Sequence, residues 1–421
     1  MKNKRFLITQ PMIHGLNGST LVALELAEYL QSIGASVEVY TYFSDYPAKG
    51  FFEAKEIKIT TASDNPIYKT SDFDYIWVHS QVIPISIIDS LSDSSDSSHP
   101  IFVFHHMSPF DWIPDERPYI YDLEEKLASV SSFIAEETKE EQQGYYTDRV
   151  PTLYFPNPAP QAFSKIKRTY RDELKKVLIV SNHPPQELLE ARQALQAEGI
   201  EVDSFGELSE NYSLITPEII SKYDVVITIG KTVQYCLTAG TPVYVYDHFG
   251  GSGYLSDNNF EKVFSRNFSG RDCETKKDAQ QIVSDLISGY SEATKFHKSQ
   301  RKHFIKKFSI DNVFPSFIKE VKGRDIEKFD QRYAKAVKSA QESARIRFAN
   351  GAAHINSAKM LNSAREELEK TKSELKVVSA QLDQEKAEIT ALRESKSHKI
   401  GLLMTYPVRK IKSTIAKGKR G

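Results

Sequence analysis

Gly230, Lys231 and Thr232 combine a cation with a turn at the predicted start of a helix. They follow an apolar run, Asp224–Ile229, that predicts a strand, and they precede a predicted helix, Val233–Ala239. A lysine is a compact positive charge, and the backbone N–H groups at a helix N-terminus attract phosphate oxygens. The Thr232 hydroxyl would either donate a hydrogen bond to the same group or cap the helix. Contact with a phosphate-bearing ligand is therefore predicted here.

A second glycine cluster follows the next predicted strand, Val243–Tyr246. Gly250, Gly251 and Gly253 lie in a predicted loop, His248–Gly253, where missing side chains let a backbone approach a ligand closely, although an ordinary surface loop has the same composition. Farther along, Arg271 would either neutralise phosphate or pair with an acid. Strands that alternate with helices form parallel sheets, and ligands bind at the carboxyl ends of such strands. Both clusters are predicted to lie there.

The N-terminal stretch has the order strand, turn, helix, strand: Arg5–Gln10, HGLNG at 14–18, Thr20–Ile33 and Ser36–Phe43. Ser19 or Thr20 is the expected N-cap. Gly15 and Gly18 either contact a ligand or only permit the tight turn. The turn lacks a full G-x-G-x-x-G pattern, which argues against a nicotinamide site.

Polar residues also follow a predicted strand at Ile101–His105. His105, His106 and Asp111 are the candidate catalytic groups, because an imidazole or a carboxylate can act as a base or accept a hydrogen bond. A histidine held by structural hydrogen bonds is the alternative for either imidazole.

The second half repeats the alternation, with predicted strands at Lys176–Val180 and Glu201–Phe205 around a helix at Gln186–Glu198. At 421 residues the chain exceeds one ordinary core. The predicted fold is α/β: two doubly wound Rossmann-like domains, residues 1–162 and 163–322, that face a cleft.

The C-terminal region is predicted to be helical and then basic. In residues 323–398, apolar residues recur every seven positions at Leu361, Leu368, Leu375, Leu382 and Ile389. This pattern predicts a coiled coil and a homo-oligomer, with a lone solvated helix as the alternative. Residues 399–421 hold seven Lys and Arg residues and no acid. Such an amphipathic tail is expected to bind an anionic membrane surface, with a solvated tail as the alternative.

Composition excludes several classes of protein. The net charge of −1 and the lack of an aromatic platform beside the basic tail argue against nucleic-acid binding. Cys236 and Cys273 fit neither a disulfide framework nor a metal site. No apolar run of bilayer-spanning length and no signal peptide is present, so the expected location is cytoplasmic, peripheral at the inner face of the membrane.

Several segments together resemble the B-type glycosyltransferases, most specifically GKTVQYCLTAGTPVYVYDHFGGSGYL with NFSGR downstream, and also HGLNGS near the N-terminus and NPAP at 157–160. The resemblance is to bacterial enzymes of capsule, exopolysaccharide and cell-wall glycan synthesis. It implies an acceptor-side first domain and a second domain that binds a nucleotide-diphosphate sugar. It also implies hexosyl transfer (EC 2.4) to a glycan or lipid-linked acceptor, without metal or cofactor.

The chain departs from the family's pattern at two places. The Glu-x7-Glu pair of common retaining families is absent, because Tyr235 and Ile227 occupy those positions. The loop after Val180 is SNHPP, without the usual Arg and Lys. The stereochemistry is therefore left open. A non-catalytic glycosyltransferase-like partner subunit and a sugar-nucleotide 2-epimerase are the alternatives.

Overall fold

The computed structural model describes residues 1–93, 99–109, 120, 122–142, 144, 149–209, 211–273 and 276–417. The strands within these residues are β1 (Arg5–Ile13), β2 (Ser36–Ser44), β3 (Lys58–Thr61), β4 (Tyr75–His79), β5 (Ile101–His106), β6 (Val130–Phe133), β7 (Thr152–Tyr154), β8 (Lys176–Val180), β9 (Glu201–Phe205), β10 (Val225–Thr228), β11 (Val243–Asp247) and β12 (Gly250–Tyr254). The helices are α1 (Gly18–Ser32), α2 (Ala48–Glu53), α3 (Ile85–Ser92), α4 (Leu123–Leu127), α5 (Glu136–Gln142), α6 (Gln161–Ser164), α7 (Gln186–Ala197), α8 (Pro217–Ser221), α9 (Lys231–Ala239), α10 (Phe260–Ser265), α11 (Ala279–Phe308), α12 (Ile310–Glu320), α13 (Gln331–Glu394) and α14 (Lys396–Lys417).

Two sheets organise the first compact unit, Met1–Asn350. The first has the strand order β3-β2-β1-β4-β5-β6-β7 and is parallel throughout. The second has the order β12-β11-β10-β8-β9, parallel except for the antiparallel edge strand β12. Both orders are doubly wound, which confirms the predicted fold class of two Rossmann-like sheets. The domain boundaries near residues 162 and 322 stay predictions.

Both faces of each sheet are buried, because alternate residues of a strand point to opposite faces. Phe6 and Ile8 of β1 belong to one apolar cluster, and Leu7 between them belongs to another. In the second sheet, Val226 of β10 and its neighbour Ile227 divide between two clusters in the same way. Near-continuous apolar runs are therefore what these central strands require.

Three details differ from the sequence-based expectations. Residues 250–254 form β12 instead of a loop, because the glycines allow very close pairing with β11. Helix α1 is capped by Asn17 instead of Ser19 or Thr20: the Asn17 Oδ1 accepts from the Thr20 N–H at 2.9 Å. The strand expected at Ile101–His105 extends by one residue, to His106.

The chain returns to the first sheet after the second sheet is complete. At this crossover the Ala159 N–H donates to the Phe308 carbonyl at 2.7 Å, and the Ile310 N–H donates to the Ala159 carbonyl at 2.9 Å. Phe314 and Phe317 of α12 then pack in the same cluster as Trp77 of β4. The first turns of α13 cover the other face of this sheet, with Val337 fully buried. Composition alone predicted a helix here but not that its beginning is part of the core.

The second unit, Gly351–Gly421, is helical where it is described. The five heptad residues from Leu361 to Ile389 are between 49% and 68% exposed. Among the described residues, no helix combines the length and the apolar character needed to span a bilayer.

Candidate functional site

A cavity of about 420 Å³ lies where the carboxyl ends of the two sheets meet. The first half contributes the turn after β1 and the start of α1. The second half contributes the segments that follow β8, β9, β10 and β11. The lining includes Leu16, Asn17, Gly18, Leu21, Ser181, Asn182, His183, Gly206, Tyr212, Ile229, Gly230, Lys231, Thr232, Tyr235, Asp247 and His248. This volume is within the range of roughly 300–1,000 Å³ typical of small-molecule sites.

Helix α9 begins at this cavity. Gly230 precedes the helix with φ 60° and ψ −131°, a conformation that favours glycine, and its N–H donates to the Phe268 carbonyl at 2.9 Å. Lys231 and Thr232, the first two helical residues, line the cavity and are 6% and 7% exposed. The first N–H groups of a helix have no intrahelical acceptor, and the helix dipole places partial positive charge there. The predicted G-K-T turn thus lies at a cavity wall.

Lys231 spans the two halves of the unit. Its Nζ lies 2.7 Å from Oε2 of Glu25 in α1, and it donates to the Pro158 carbonyl at 2.7 Å. Oε1 of the same glutamate accepts a hydrogen bond from the Tyr235 hydroxyl. Glu25, Lys231 and Tyr235, here called the Glu25 triad, therefore tie α1 to α9.

Burial dominates the electrostatics of the Glu25 triad. It raises the pKa of the Glu25 carboxyl, while Lys231 and Tyr235 act to lower that pKa. Burial also lowers the pKa of the Lys231 ammonium, an effect that Glu25 opposes. The pKa of Tyr235 is raised well above its ordinary value by burial and by the carboxylate, so its hydroxyl stays protonated and donates.

Sequence reasoning missed Glu25. The available signal was its position between two apolar residues, Leu24 and Leu26, without a cation three or four residues away on the same helix. A glutamate so placed needs a partner from elsewhere in the fold. Tyr235 occupies one of the two positions at which the resemblance predicted a carboxylate, and its hydroxyl instead donates to the Glu25 carboxylate of α1.

Asp247 is a second acid that sequence reasoning did not single out. It ends β11 and is the carboxylate among the described cavity-lining residues. Its Oδ1 accepts from the Ser181 hydroxyl at 2.9 Å and from the His248 N–H at 2.8 Å. Burial raises the pKa of this carboxyl, and both hydrogen bonds act to lower it.

The predicted glycine turn after β1 is held across the cavity mouth. The Leu16 N–H donates to the Tyr212 hydroxyl at 2.7 Å, and Asn182 Nδ2 donates to the Leu16 carbonyl at 3.4 Å. Gly15 has φ 92°, and a Cβ on it would lie 3.2 Å from the Tyr212 oxygen. Gly18 lines the cavity, whereas Gly15 is not among the residues that do.

Neither His105 nor His106 lines this cavity. His106 Nε2 lies 2.9 Å from Oε1 of Glu124, a fully buried carboxylate. His105 Nδ1 lies 3.0 Å from the Ser132 hydroxyl, and burial lowers its pKa well below the ordinary value. Among the described residues, His105 Nε2 is buried without a hydrogen-bond partner. Asp111, the third candidate base, lies outside the described residues.

A neighbouring histidine, His79, is a buried neutral imidazole. Its Nε2 accepts from the Trp77 indole N–H at 3.1 Å, so its proton is on Nδ1, which donates to Gln10 Oε1 at 2.9 Å. Burial lowers the pKa of His79 to about 3.

Arg271 and the second glycine cluster lie away from the cavity lining. Arg271 forms two hydrogen bonds to Glu137 of α5, at 3.1 Å and 2.5 Å. A Cβ on Gly251 would lie 2.0 Å from the Val245 carbonyl oxygen, so β12 itself demands this glycine. A Cβ on Gly253 would lie 2.9 Å from Lys277 Nζ, and Gly250 pairs with Asp247 in the same ladder.

Within the described ranges, no group of three or more His, Cys, Asp or Glu side chains is arranged to hold a metal ion. The cavity supplies a helix N-terminus, one ammonium and one carboxylate. These groups can bind a phosphate and accept hydrogen bonds from hydroxyl groups.

Comparisons with known proteins bear on the fold. No protein-family model matches the chain, and no curated protein matches it. Among solved structures, Anabaena HepE in complex with UDP-glucose is 11% identical, with a TM-score of 0.50, and the match covers 75% of this chain and 99% of that one. A glycosyltransferase from Rickettsia africae is 11% identical over 76% of this chain and 98% of its own, with a TM-score of 0.49.

A UDP-N-acetylglucosamine 2-epimerase from Listeria monocytogenes, described as putative, is 12% identical over 73% of this chain and 97% of its own, with a TM-score of 0.41. At these identities a likeness bears on the fold alone, and the HepE match is the one of these three that reaches a TM-score of 0.50. Together with the two doubly wound sheets and the cavity at their carboxyl ends, it shows that the chain has the B-type glycosyltransferase fold.

Proposed function

We propose that the protein is a hexosyltransferase-type glycosyltransferase that binds a nucleotide-diphosphate sugar in the cavity between its two sheets. The observation that carries this proposal is the N-terminus of α9, with Lys231 and Thr232 at the cavity wall. A departing nucleoside diphosphate gains negative charge, and preorganised N–H groups and an ammonium stabilise that charge without a metal ion. In this proposal Gly230, Lys231 and Thr232 contact the diphosphate.

In this proposal the Glu25 triad determines the position of the Lys231 ammonium and how much of its charge a ligand meets. The ion pair at 2.7 Å holds Lys231 beside the cavity in a fixed position. A diphosphate oxygen beside α9 would share the ammonium with Glu25. We expect the N–H groups of α9 to supply most of the unopposed attraction, with Lys231 adding a charge-assisted hydrogen bond worth about 1.5–3 kcal/mol.

Asp247 is placed to recognise hydroxyl groups of the donor. One of its oxygens already accepts two hydrogen bonds, so its other oxygen is left to accept from a ribose or sugar hydroxyl. The proposed candidates for the catalytic base remain His105, His106 and Asp111. Of the two histidines, His106 is the weaker candidate, because it already forms a hydrogen bond with Glu124.

A thermal-shift panel of UDP-, GDP- and dTDP-sugars tests the proposal on the full-length protein. We expect a rise in melting temperature with one nucleotide class and release of nucleoside diphosphate when an acceptor glycan is added. The absence of any shift across the panel would contradict the proposal. Binding without turnover would favour the second candidate, a non-catalytic glycosyltransferase-like subunit. The observation in its favour is that neither His105 nor His106 is among the residues that line the cavity.

The acceptor and the location are part of the proposal. We infer a glycan or lipid-linked acceptor in bacterial surface polysaccharide synthesis, handled at the cytoplasmic face of a membrane. Helix α14 supports this, because Leu403, Met404 and Ile411 are 75%, 77% and 60% exposed on a helix that also carries Arg409 and Lys410. A basic residue near an anionic surface contributes about 1 kcal/mol of attraction.

Liposome sedimentation tests the tail. The full chain should pellet with anionic vesicles, and a chain ending at residue 398 should stay in the supernatant. Equal pelleting of both proteins would refute the role of the tail. Neutral vesicles serve as the control for the electrostatic part.

We also infer self-association through the heptad residues of α13. Leu368, Leu375 and Leu382 are all exposed at seven-residue intervals, which is the spacing at which apolar residues of supercoiled helices meet. Sedimentation velocity should show a dimer or larger species that Leu375→Lys dissociates. The matched control, Lys376→Glu, changes a charge one position away and should leave the species unchanged.

A further inference from the structure

A second cavity of about 500 Å³ lies beside the first sheet, at the carboxyl ends of β2, β3 and β4. Its lining contains Tyr40, Tyr42, Ala62, Ser63, Asn65, Pro66, Ile83, Pro84, Ile85, Ser86, Asp89, Gln341, Glu342 and Arg345. It shares none of these residues with the cavity at α9. One wall is the beginning of α13, so the cavity exists only because the chain returns to the first sheet.

Gln341 fixes this wall. It is 1% exposed, and its Oε1 accepts from the Tyr42 hydroxyl at 2.5 Å and from the Ile83 N–H at 3.0 Å. Its Nε2 donates to the Gln81 carbonyl at 2.8 Å. A buried amide with three such bonds is costly to displace, so the wall is preorganised.

The charges around the cavity cancel in pairs. Arg345 Nε and Nη2 donate to Glu342 at 2.9 Å and 2.5 Å, and Lys338 beside the rim pairs with Asp89 at 2.6 Å. Among the described residues of this lining, no cation without an acidic partner is left for a phosphate or carboxylate. An anionic ligand is therefore disfavoured.

Several groups of this lining keep hydrogen-bonding capacity that the protein does not use. Among the described residues the Tyr40 hydroxyl makes no hydrogen bond, and burial raises the pKa of this phenol to about 12, so it keeps its proton and can donate. The remaining guanidinium N–H groups of Arg345 can also donate, and the Glu342 carboxylate can accept further bonds. The rings of Tyr40 and Tyr42 also line the cavity and can contact C–H groups of a ligand. Aromatic rings together with polar groups suit a ligand that carries both C–H and O–H groups.

We propose that this cavity binds a neutral mono- or disaccharide through Tyr40, Glu342 and Arg345. Saccharide binding here does not depend on the cavity at α9 having any activity. The extension that the saccharide is part of a glycan acceptor rests on the proposed glycosyltransferase function. In that case the returning helix α13 would hold the acceptor chain on the first half of the molecule.

Saturation-transfer NMR on the full-length protein tests the inference, with glucose, galactose, N-acetylglucosamine, cellobiose, lactose and chitobiose as probes. We expect transfer to at least one of them, unchanged when UDP is added. Tyr40→Phe and Arg345→Met should each weaken binding about five-fold, the effect of removing one hydrogen-bonding group. Arg332→Met changes an exposed arginine of the same helix and should bind as the parent does.

The outcomes separate this site from the nucleotide site. No transfer to any probe would overturn the inference, and so would equal transfer in the parent and both variants. Displacement of the saccharide by UDP would place binding in the other cavity and would also overturn it. Failure of nucleotide sugars to bind at all would refute the proposed function and leave this result standing. Circular dichroism of each variant verifies that Tyr40→Phe, which removes one oxygen atom, retains the fold.

Discussion

Replacement of Glu25 by glutamine tests whether the buried ion pair joins the two halves of the first unit. The substitution preserves the size of the side chain and an oxygen that can accept from Tyr235, but it removes the negative charge beside Lys231. At an effective dielectric constant of about 20, unit charges separated by 2.7 Å attract by about 6 kcal/mol. Desolvation of both ions offsets part of this attraction, and removal of one partner from a buried pair costs about 3–5 kcal/mol. Because the amide still accepts hydrogen bonds, we expect Glu25→Gln to lower the free energy of unfolding by about 2–4 kcal/mol.

Urea unfolding followed by circular dichroism provides the measurement, with Glu28→Gln as the matched control on the same helix. Glu28 pairs with Lys55 at 2.6 Å, but the two side chains are 45% and 41% exposed, so this pair should contribute at most about 1 kcal/mol. A double-mutant cycle with Lys231→Met should give a coupling energy of about 2 kcal/mol or more. Equal destabilisation by Glu25→Gln and Glu28→Gln, or additive effects in the cycle, would refute the role assigned to the pair.

Three further predictions concern the histidines and the glycines. Burial lowers the pKa of His297 to about 3. Between pH 3 and about 6.5 the unfolded chain therefore binds one more proton at this residue than the folded chain does. The free energy of unfolding consequently falls as the pH drops through this window, by about 2 kcal/mol at pH 5. His297→Leu should therefore flatten the pH dependence of the urea midpoint between pH 7 and 5, whereas the exposed His303→Gln should not; parallel curves for His297→Leu and the parent would refute this. Gly251→Ala should destabilise the fold by about 3 kcal/mol or more, because its Cβ would lie 2.0 Å from a backbone oxygen. In Gly18→Ala no atom lies within 4 Å of the added Cβ, so its free energy of unfolding should be within about 0.5 kcal/mol of the parent value. A large loss of stability in this variant would contradict the geometry.

Much of the fold is predictable from local patterns. Apolar runs of about five residues that alternate with amphipathic segments predicted β8 at Lys176–Val180 and β9 at Glu201–Phe205 with the boundaries that the structure has. A parallel sheet buries both faces of its strands, so the required composition is visible in the sequence. The edge strand β12 was taken for a loop, since its glycines are selected by close backbone packing against Val245 and not by strand propensity.

The candidate site was predictable only in part, because half of it consists of pairings between distant residues. Lys231 was identified from its place at the start of a helix. Its partner Glu25 lies more than two hundred positions earlier, and no periodicity indicates which buried cation that carboxylate meets. Arg271 posed the same difficulty, since the sequence allowed either a phosphate or an acid, and the structure places Glu137 beside it.

The returning helix shows a related limit. The sequence pattern predicts a helix in residues 323–398, but it does not indicate which turns of that helix pack on a core. Gln341 is buried where β2 and the segment after β4 present Tyr42 and Ile83 to it, and Val337 belongs to the same apolar cluster as these two residues. The second cavity results from this packing, and no local sequence pattern predicts it.

Calorimetric titration of nucleoside diphosphates into the full-length protein and its Lys231→Met variant tests the central claim most directly. If the α9 N-terminus binds the diphosphate of a nucleotide sugar, then UDP, GDP or dTDP will bind the parent. Lys231→Met, which removes one charge-assisted hydrogen bond, will weaken that affinity about ten-fold or more. Lys222→Met, at an exposed lysine of the same half, should bind as the parent does. No binding of any of the three, or equal affinity in the parent and a folded Lys231→Met variant, would contradict the claim.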